Sequence, residues 1–439
     1  MLARLLFAVV LLVQCACAIS LTGPRLLVVQ DPSFIKEDHS VFFDDLTERK
    51  FDIDFRAPND PDLGLFAYGE RTYDHVILTL PKTQKALGPN LLAKPLLEFL
   101  TKGGNVIVLL NPSERPLGAV RELGSQLDFT LPMRDSYLVD HFNYDPDTSS
   151  EQHTSILLDP ATAIDCPDII SVSDTSKKIK YPLGSGMYLG NSPLILPILH
   201  AHETAYVYNT GEEDTASATP FSTGTQTYLV AGFQALNNAR LVFVTSSAML
   251  SDVAFDDSAN REFAAAVSKW AFQERGVIKL TSVSHSLVNS AEISPSIYRV
   301  KQDIAYSAAL SEYVDDHWVP YVASDVQLEF TMLDPYYRIT LTPSGAVDSS
   351  EIFSTIFKAP DQHGVFSFVL NYKRPGLSYI KDKRAVTLRH FGHNEFLRSF
   401  AIPNAWPYIT SIVTVIGAWA LFIVLWLFSG PGSSPKKTQ

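Results

Sequence analysis

Cysteine is nearly absent from this sequence, with three residues in a chain of 439. Cys15 and Cys17 lie within the first 20 residues, so Cys166 is the single thiol in the rest of the chain. One thiol cannot form an internal disulfide, and the sequence therefore excludes a small scaffold held together by cystines. The context "IDCPDII" has no nucleophile motif around Cys166 and predicts a buried small side chain rather than a reactive group.

Basic runs and several common motifs are missing as well. The net charge of −12, with no long Lys/Arg stretch, argues against nucleic-acid binding. No Asn-x-Ser/Thr glycosylation acceptor occurs, and Asn111-Pro112-Ser113 is blocked by its proline. No Gly-x-Ser-x-Gly occurs, and Gly184-Ser185-Gly186 lacks the third glycine of a dinucleotide-binding loop. The sequence therefore contains neither a standard hydrolase motif nor a standard dinucleotide motif.

What the sequence does contain begins with a leader. Arg4 forms a short basic region, Leu5 to Val13 form an apolar region, and Ala16-Cys17-Ala18 is a small-residue cleavage site. This pattern predicts a secretory signal peptide at 1–18, cleaved after Ala18. An uncleaved membrane anchor is the alternative, but the apolar stretch is short for a span.

A second apolar stretch lies near the C-terminus. Residues 409–428 carry no charge over about 20 positions, which is enough to cross a bilayer as a helix, and aromatic residues flank both ends. With a cleaved signal and one span, the chain is predicted to be a single-pass type I membrane protein with a cytosolic tail at 429–439. Four small residues share helical spacing, which indicates either a close helix–helix contact or ordinary span composition: Thr410, Thr414, Gly417 and Ala418.

The tail ends in "SSPKKTQ", with Lys436 and Lys437 four and three positions from the end of the chain. Lysines at this register, on the cytosolic side of a single span, fit the dilysine retrieval signal read by the retrograde coat. Such a signal is an address read by a receptor, not an anchor. We therefore predict residence in the endoplasmic reticulum membrane, with the N-terminal bulk in the lumen.

The luminal part divides into two regions with different patterns of apolar residues. Apolar strands alternate with amphipathic helices from residue 19 to 277, with Ser/Asp/Thr/Pro-rich insertions over about 130–225, which predicts a parallel, two-sided sheet of the Rossmann-like, glutaminase-like kind. "LLAKPLLEFLTKGG" is predicted to be one of these helices, with Pro95 as an internal defect. From 278 to 405 the pattern changes to period-two alternation, as in Phe366, Phe368, Leu370 and Tyr372, or in the series from Val326 to Met332. This second domain is predicted to be an immunoglobulin-like β-sandwich.

Three small clusters have residue types that can bind metal or catalyse hydrolysis. Asp52-Ile53-Asp54 places two carboxylates on one face of a strand, but any polar strand face produces such a pair. The histidine clusters at 200–203 and 390–395 are more simply surface or packing groups. A hydrolase or amidotransferase-like enzyme would require Cys166 or a serine beside a histidine. We predict no catalytic, cofactor-binding or metal-binding residue.

Five long stretches occur in order over nearly the whole mature chain: "HSVFFDDLTERKFDIDF", "VDHFNYD", "LVAGFQALNNARLVF", "WVPYVASDVQLEFTMLDPYYR" and "PDQHGVFSFVLNYKRPG". Together they resemble one family, the 48 kDa subunit of the dolichyl-diphosphooligosaccharide–protein glycosyltransferase, the oligosaccharyltransferase of the endoplasmic reticulum. The dilysine end is similar to that of fungal members.

This resemblance implies a non-catalytic scaffold in a complex that transfers a preassembled oligosaccharide from dolichyl diphosphate to Asn in N-x-Ser/Thr sequons. It implies no cofactor on this chain. It also implies contacts with a separate, polytopic catalytic subunit and with another single-span partner. The alternatives are a luminal enzyme of the kind described above, or a cargo receptor or tether of the endoplasmic reticulum.

Overall fold

A computed structural model describes residues 20–30, 36–79, 88–113, 118–146, 152–209, 219–288, 290, 292–396, 405–430 and 432. Ala18, Lys436 and Lys437 lie outside the described residues. Within these ranges the chain has a mixed α/β fold followed by a C-terminal apolar helix, as predicted.

The strands are numbered here in chain order over the described residues. They are β1 Arg25–Val29, β2 Asp52–Arg56, β3 Phe66–Ala67, β4 Glu70–Arg71, β5 His75–Thr79, β6 Asn105–Leu109, β7 Phe129–Thr130, β8 Ser136–Val139, β9 Ile156–Leu158, β10 Ile179–Tyr181, β11 Tyr188–Leu189, β12 Ile195–His200, β13 Tyr206–Asn209, β14 Ser222–Thr223, β15 Tyr228–Gln234, β16 Arg240–Val244, β17 Val277–Leu287, β18 Ile297–Arg299, β19 Asp303–Val314, β20 His317–Pro320, β21 Gln327–Thr331, β22 Pro335–Thr340, β23 Thr342–Val347, β24 Ser350–Lys358, β25 Gly364–Tyr372 and β26 Ile380–Arg389.

The α-helices are named by their ranges. They span Ser40–Glu48, Ala93–Thr101, Gly118–Gln126, Pro160–Ala163, Asp252–Phe255, Asn260–Ala271 and Trp406–Phe428. Short 3-10 turns occupy Lys36–His39, Pro89–Leu91, Gly224–Gln226 and Ser247–Leu250.

A seven-stranded sheet forms the centre of the N-terminal part, in the order β12-β15-β16-β6-β5-β1-β2. The five strands from β16 to β2 run parallel. Both faces of this sheet are covered, because alternate residues of β1 enter different cores: Leu26 and Val28 enter one, and Leu27 and Val29 enter the other. Strands buried on both faces are continuous apolar runs, which is why "RLLVV" and "HVILT" show no alternation.

Two strands of the sheet depart from the predicted parallel arrangement. β15 is antiparallel to β16, and β12 is antiparallel to β15. A loop of five residues, 235–239, joins β15 to β16, and a connection this short makes neighbouring strands antiparallel. Residues 130–225 were predicted to be insertions and loops with short strands on the same domain, but one of these strands, β12, forms an edge of the main sheet. Pro197 cannot donate a ladder hydrogen bond, which suits an edge strand.

Helices cover the two faces of the sheet. The helices Ser40–Glu48 and Asn260–Ala271 contribute to the first core, and Ala93–Thr101 and Gly118–Gln126 contribute to the second. The predicted apolar face of Asn260–Ala271 is confirmed, because each of its members is buried: Phe263, Ala266, Val267, Trp270 and Ala271. Pro95 is not an internal defect, since its helix begins at Ala93 and the first turn needs no backbone donor there.

Two five-stranded sheets follow, and we call β17–β26 the paired sheets. One has the order β17-β19-β24-β23 with β20 paired to β19, and the other has the order β18-β26-β25-β21-β22. The inward residues of both sheets share one core, including the predicted Phe366, Phe368, Leu370 and Tyr372. Met332 does not join the core face predicted for it, because β21 ends at Thr331 and the chain turns there.

The apolar helix spans Trp406–Phe428 and begins three residues before the predicted start. Its 23 residues correspond to about 35 Å, which is long enough to cross a hydrocarbon core of about 30 Å.

Candidate functional site

A serine, a histidine and an asparagine meet under the amino ends of the parallel strands. Ser20 precedes β1, His75 opens β5 and Asn105 opens β6. The Ser20 Oγ lies 3.0 Å from His75 Nε2, and His75 Nδ1 lies 3.2 Å from Asn105 Nδ2. All three residues are buried. The arrangement resembles a nucleophile, a base and an orienting group. The protonation state of the histidine decides whether the group can catalyse a reaction.

The amide of Asn105 has a fixed orientation. Its Oδ1 accepts hydrogen bonds from the Arg240 backbone N–H at 2.9 Å and from Gln273 Nε2 at 3.2 Å. Its Nδ2 therefore faces His75 and donates to Nδ1. A neutral imidazole that accepts at Nδ1 carries its proton on Nε2, the nitrogen that faces Ser20.

His75 consequently cannot remove a proton from Ser20. The His75 Nε2–H points toward the Gly23 carbonyl at 3.0 Å as well as toward Ser20. The Ser20 hydroxyl donates to the Phe272 carbonyl at 2.7 Å. Burial lowers the pKa of His75 to about 4, so the ring is neutral at physiological pH. The group also lies at the amino ends of the strands, whereas ligands of open α/β sheets bind at the carboxyl ends. Its arrangement is that of a packing network.

The network continues into a buried arginine at the junction with the paired sheets. Arg240 is fully buried at the start of β16. Its Nη1 donates to the carbonyls of Trp270 and Arg275 at 2.7 Å each, and its Nη2 donates to the Gly276 carbonyl at 2.6 Å. The guanidinium stacks over the Trp270 ring, 4.9 Å from its centroid. Burial lowers the pKa of Arg240 to about 9. The carbonyl oxygens at the end of the helix Asn260–Ala271 stabilise its positive charge.

The loop between β25 and β26, residues 373–379, docks against this arginine site. Trp270 Nε1 donates to the Gly376 carbonyl at 2.8 Å, and Gln234 Nε2 donates to the Leu377 carbonyl at 2.7 Å. The Ser378 amide donates to the Gly276 carbonyl at 3.0 Å. These bonds join the seven-stranded sheet to the paired sheets through backbone groups of a single loop.

A polar cleft of about 410 Å³ lies beside the junction. Arg49 and Glu274 form an ion pair of 2.9 Å there, and desolvation nevertheless raises the pKa of Glu274. Desolvation also raises the pKa of Glu312, while Arg275 opposes that shift. Cations and carboxylates balance in the lining, which is consistent with a solvated seam between two packed units.

Cys166 does not meet the requirements of a nucleophile. It is largely buried and packs against the first core. Burial raises the pKa of its thiol to about 12, and Asp165 and Asp168 add to the shift. A thiol with so high a pKa is protonated and unreactive at neutral pH.

The predicted carboxylate and histidine clusters have other partners. Asp54 accepts a hydrogen bond of 2.7 Å from the Tyr73 hydroxyl, and this bond is the largest cause of a lowered Asp54 pKa. Nη1 and Nη2 of Arg389 both donate to the Glu395 carboxylate, which lowers the pKa of Glu395 to about 2. Among the described residues, no group of three or more His, Cys, Asp or Glu side chains is arranged to hold a metal ion.

The four small residues predicted for a helix–helix contact lie on the apolar helix. The hydroxyl of Thr410 donates to the Trp406 carbonyl at 2.5 Å, and that of Thr414 donates to the Thr410 carbonyl. Nothing lies within 4 Å of a Cβ built on Gly417. A contact through these positions and Ala418 stays a prediction.

The role of Arg240 at the junction was not predicted from the sequence. An apolar strand that opens on a single charged residue, "RLVFV", is a signal for it, because a charge inside a buried strand requires specific partners.

Taken together, these features define a two-part protein with a C-terminal apolar helix. Its Ser20–His75–Asn105 group is part of a buried packing network. Two family models match the chain: "OST48, N-terminal domain" over residues 17–274 and "OST48 middle domain" over residues 285–430. The chain belongs to the OST48 family.

Three relatives match nearly from end to end. The dolichyl-diphosphooligosaccharide–protein glycosyltransferase subunit wbp1 of Schizosaccharomyces pombe is 40% identical over 402 residues, covering 90% of each chain. The 48 kDa subunit of the same enzyme from Danio rerio is 33% identical, covering 92% of this chain and 91% of its own. Subunit WBP1 of Saccharomyces cerevisiae is 32% identical, covering 94% and 93%.

A solved structure described as the mmIFT52 N-terminal domain is similar to 56% of this chain and to 96% of its own, with a TM-score of 0.41 and 14% identity. A likeness at this level has no bearing on function.

Proposed function

We propose that the chain is a non-catalytic, scaffolding subunit of the oligosaccharyltransferase of the endoplasmic reticulum. The complex transfers a preassembled oligosaccharide from dolichyl diphosphate to Asn in N-x-Ser/Thr sequons of nascent proteins. The observation that carries the proposal is the match of 90% or more of the chain to three proteins named as subunits of that glycosyltransferase.

The non-catalytic role is supported by the chemistry of the described residues. The buried Ser20–His75 pair has its imidazole proton on the nitrogen that would have to act as the base. The Cys166 thiol has a pKa far above neutral. The luminal-enzyme alternative predicts that Ser20→Ala abolishes a hydrolytic activity of the purified chain. The scaffold proposal predicts no such activity in either protein.

The proposed topology is a single-pass type I protein of the endoplasmic reticulum membrane. It comprises a signal peptide at 1–18, a Rossmann-like luminal domain at 19–277, an immunoglobulin-like β-sandwich at 278–405, a span at 409–428 and a cytosolic tail at 429–439. The apolar helix, with Trp406 and Tyr408 at one end and Trp426 at the other, supports the span. Lys436 and Lys437 would bind the retrograde coat.

The proposed partners are the polytopic catalytic subunit and a single-span neighbour. In this proposal the luminal units order neighbouring subunits, and the apolar helix holds them in one membrane. The docked 373–379 loop supports this role, because it makes the two luminal units one continuous body.

A pull-down tests the proposal. The chain is captured from mild detergent through a tag that follows the signal site on a flexible linker, and the eluate is analysed by mass spectrometry and by an oligosaccharide-transfer assay. We expect a stoichiometric set of membrane subunits with transfer activity, and no activity from the purified chain. A chain that is captured alone, or with many partners in substoichiometric amounts, contradicts the proposal and favours a cargo receptor or tether.

A further inference from the structure

The paired sheets have two distinct ends. β25 ends at Tyr372 and β26 begins at Ile380, and the 373–379 loop between them docks on the seven-stranded sheet. β25 begins at Gly364, opposite Leu388 near the close of β26. The eight steps along β25 correspond to about 26 Å. We call the end at Gly364 the distal end, because it lies this far from the junction.

The distal end presents a row of exposed apolar side chains. Ile297 of β18 lies opposite Thr387 of β26, and Thr387 lies opposite Val365 of β25. Ile297 is 56% exposed and Val365 is 61% exposed. Leu333, in the turn between β21 and β22, is 93% exposed. Apolar side chains gathered at one end of a domain and left open to solvent indicate a contact surface.

Two ion pairs within the chain lie at the same end. Lys301 lies 2.7 Å from Asp361, and Arg389 lies 2.5 Å from Glu395. The distal end therefore presents apolar side chains beside two internal ion pairs rather than a cluster of unpaired basic side chains. This composition fits a zwitterionic lipid interface, into which apolar side chains insert, better than an anionic surface, which selects lysine and arginine.

The path of the chain leads from this end to the apolar helix. β26 closes at Arg389 on the distal end, and Phe396, itself exposed, follows it. Nine residue steps separate Phe396 from Ala405, the N-cap of the apolar helix, and nine steps span at most about 32 Å. The junction end lies a further ~26 Å away along the strands. Along the chain, the distal end is therefore the nearer of the two ends to the start of the helix.

We propose that the distal end of the paired sheets rests on the luminal surface of the membrane, with Leu333, Val365 and Ile297 in the interfacial layer. The inference rests on the proposed span at 409–428. The chain then has two membrane contacts, one across the bilayer and one on its surface, and the seven-stranded sheet is held away from the lipid by the length of β25.

Lipid quenching of a fluorescent probe tests this placement in the full mature chain. The chain is reconstituted in phosphatidylcholine nanodiscs that contain lipids with bromine on the upper acyl chain. Leu333→Cys and Val365→Cys are labelled with bimane. Val347→Cys is the matched control, because Val347 is 55% exposed on the same paired sheets but pairs with Ser350 at the start of β24, toward the junction end. The unsubstituted chain, in which Cys166 is mostly buried, gives the labelling background.

We expect strong quenching at positions 333 and 365 and little at 347. Tryptophan quenching by the same lipids reports separately on the apolar helix, which carries Trp406, Trp419 and Trp426. If the tryptophans are quenched but the bimanes are not, the surface contact is refuted and the span stands. If neither is quenched, the span fails and the inference fails with it. If copurified subunits shield the bimanes from water without lipid quenching, a protein partner covers the distal end, and the membrane contact is again refuted.

Discussion

Replacement of Arg240 by methionine gives the sharpest prediction. The change removes three charge-assisted hydrogen bonds but keeps a long apolar side chain. The carbonyl of Trp270 also accepts from the Gln273 amide, and that of Gly276 also accepts from the Ser378 amide, so both keep a partner. The Arg275 carbonyl has no second partner among the described residues. A part-buried acceptor left without a partner costs about 1–3 kcal/mol, and each of the other two lost bonds costs about 1 kcal/mol.

Removal of the buried guanidinium also relieves its desolvation, which acts in the opposite direction. We therefore expect the junction to lose about 3 kcal/mol, at the lower end of the combined range of about 3–5 kcal/mol. Because 1.36 kcal/mol corresponds to a factor of ten, local opening at the junction becomes about a hundredfold more frequent.

Hydrogen exchange measured by mass spectrometry reads this opening directly. The reporters are the amides of Ser378 and Tyr379, which donate to the Gly276 carbonyl and to Asn238 Oδ1. Arg240→Lys keeps a charge but not the fork of donors, so we expect an intermediate loss of protection. Arg261→Met is the control, since its exposed pair with Asp45 contributes less than about 1 kcal/mol. If Arg240→Met leaves the protection of both amides within about threefold of the parent, the assignment of Arg240 as the junction's central donor is wrong.

Three further outcomes follow from the described geometry and from the tail. The pKa of His75 is about 4 in the folded chain against an ordinary 6.5, so the unfolded chain binds the proton first as the pH falls. The free energy of unfolding should therefore fall by about 3 kcal/mol between pH 6.5 and pH 4. His75→Gln should flatten this pH dependence in urea unfolding, and an unchanged slope would contradict the prediction. Gly376→Ala should destabilise the junction by about 2–4 kcal/mol in thermal unfolding, because φ is +77° and the new Cβ would lie 2.0 Å from Ile169 Cδ1. Gly69→Ala is the control, since φ is +87° there but the space is open, and it should cost about 1 kcal/mol in the same assay. Lys436→Ser combined with Lys437→Ser should let the isolated chain reach later compartments, as seen by microscopy, and retention of that isolated chain would count against the dilysine signal.

Much of the fold was predictable because local periodicity carries it. The continuous apolar runs of β1, β5, β6 and β16 indicate strands buried on both faces, and the alternation from Phe366 to Tyr372 indicates a sheet with one inward face. Both patterns report which side chains are buried, and burial is a property of single positions. The positions of these elements followed from that alone.

The direction of strand pairing and the long-range polar contacts were harder to predict from the sequence. The antiparallel pairing of β15 follows from the length of the 235–239 loop, but only once both strand ends are known. Arg240 binds carbonyls that lie 30 to 36 residues away, and the Ser20–His75–Asn105 group joins residues up to 85 positions apart. No short motif encodes such contacts, because each is created by the way the strands come together.

The burial of Ser20 has a consequence for the order of events during biosynthesis. Ser20 lies two residues after the predicted cleavage site at Ala18, and it is enclosed among His75, Phe272 and the start of β1. A peptidase needs an extended, accessible chain around the bond that it cuts. If the leader is removed at Ala18, the cut must therefore be made before the amino end of the sheet closes. On that prediction, removal of the leader precedes completion of the first domain.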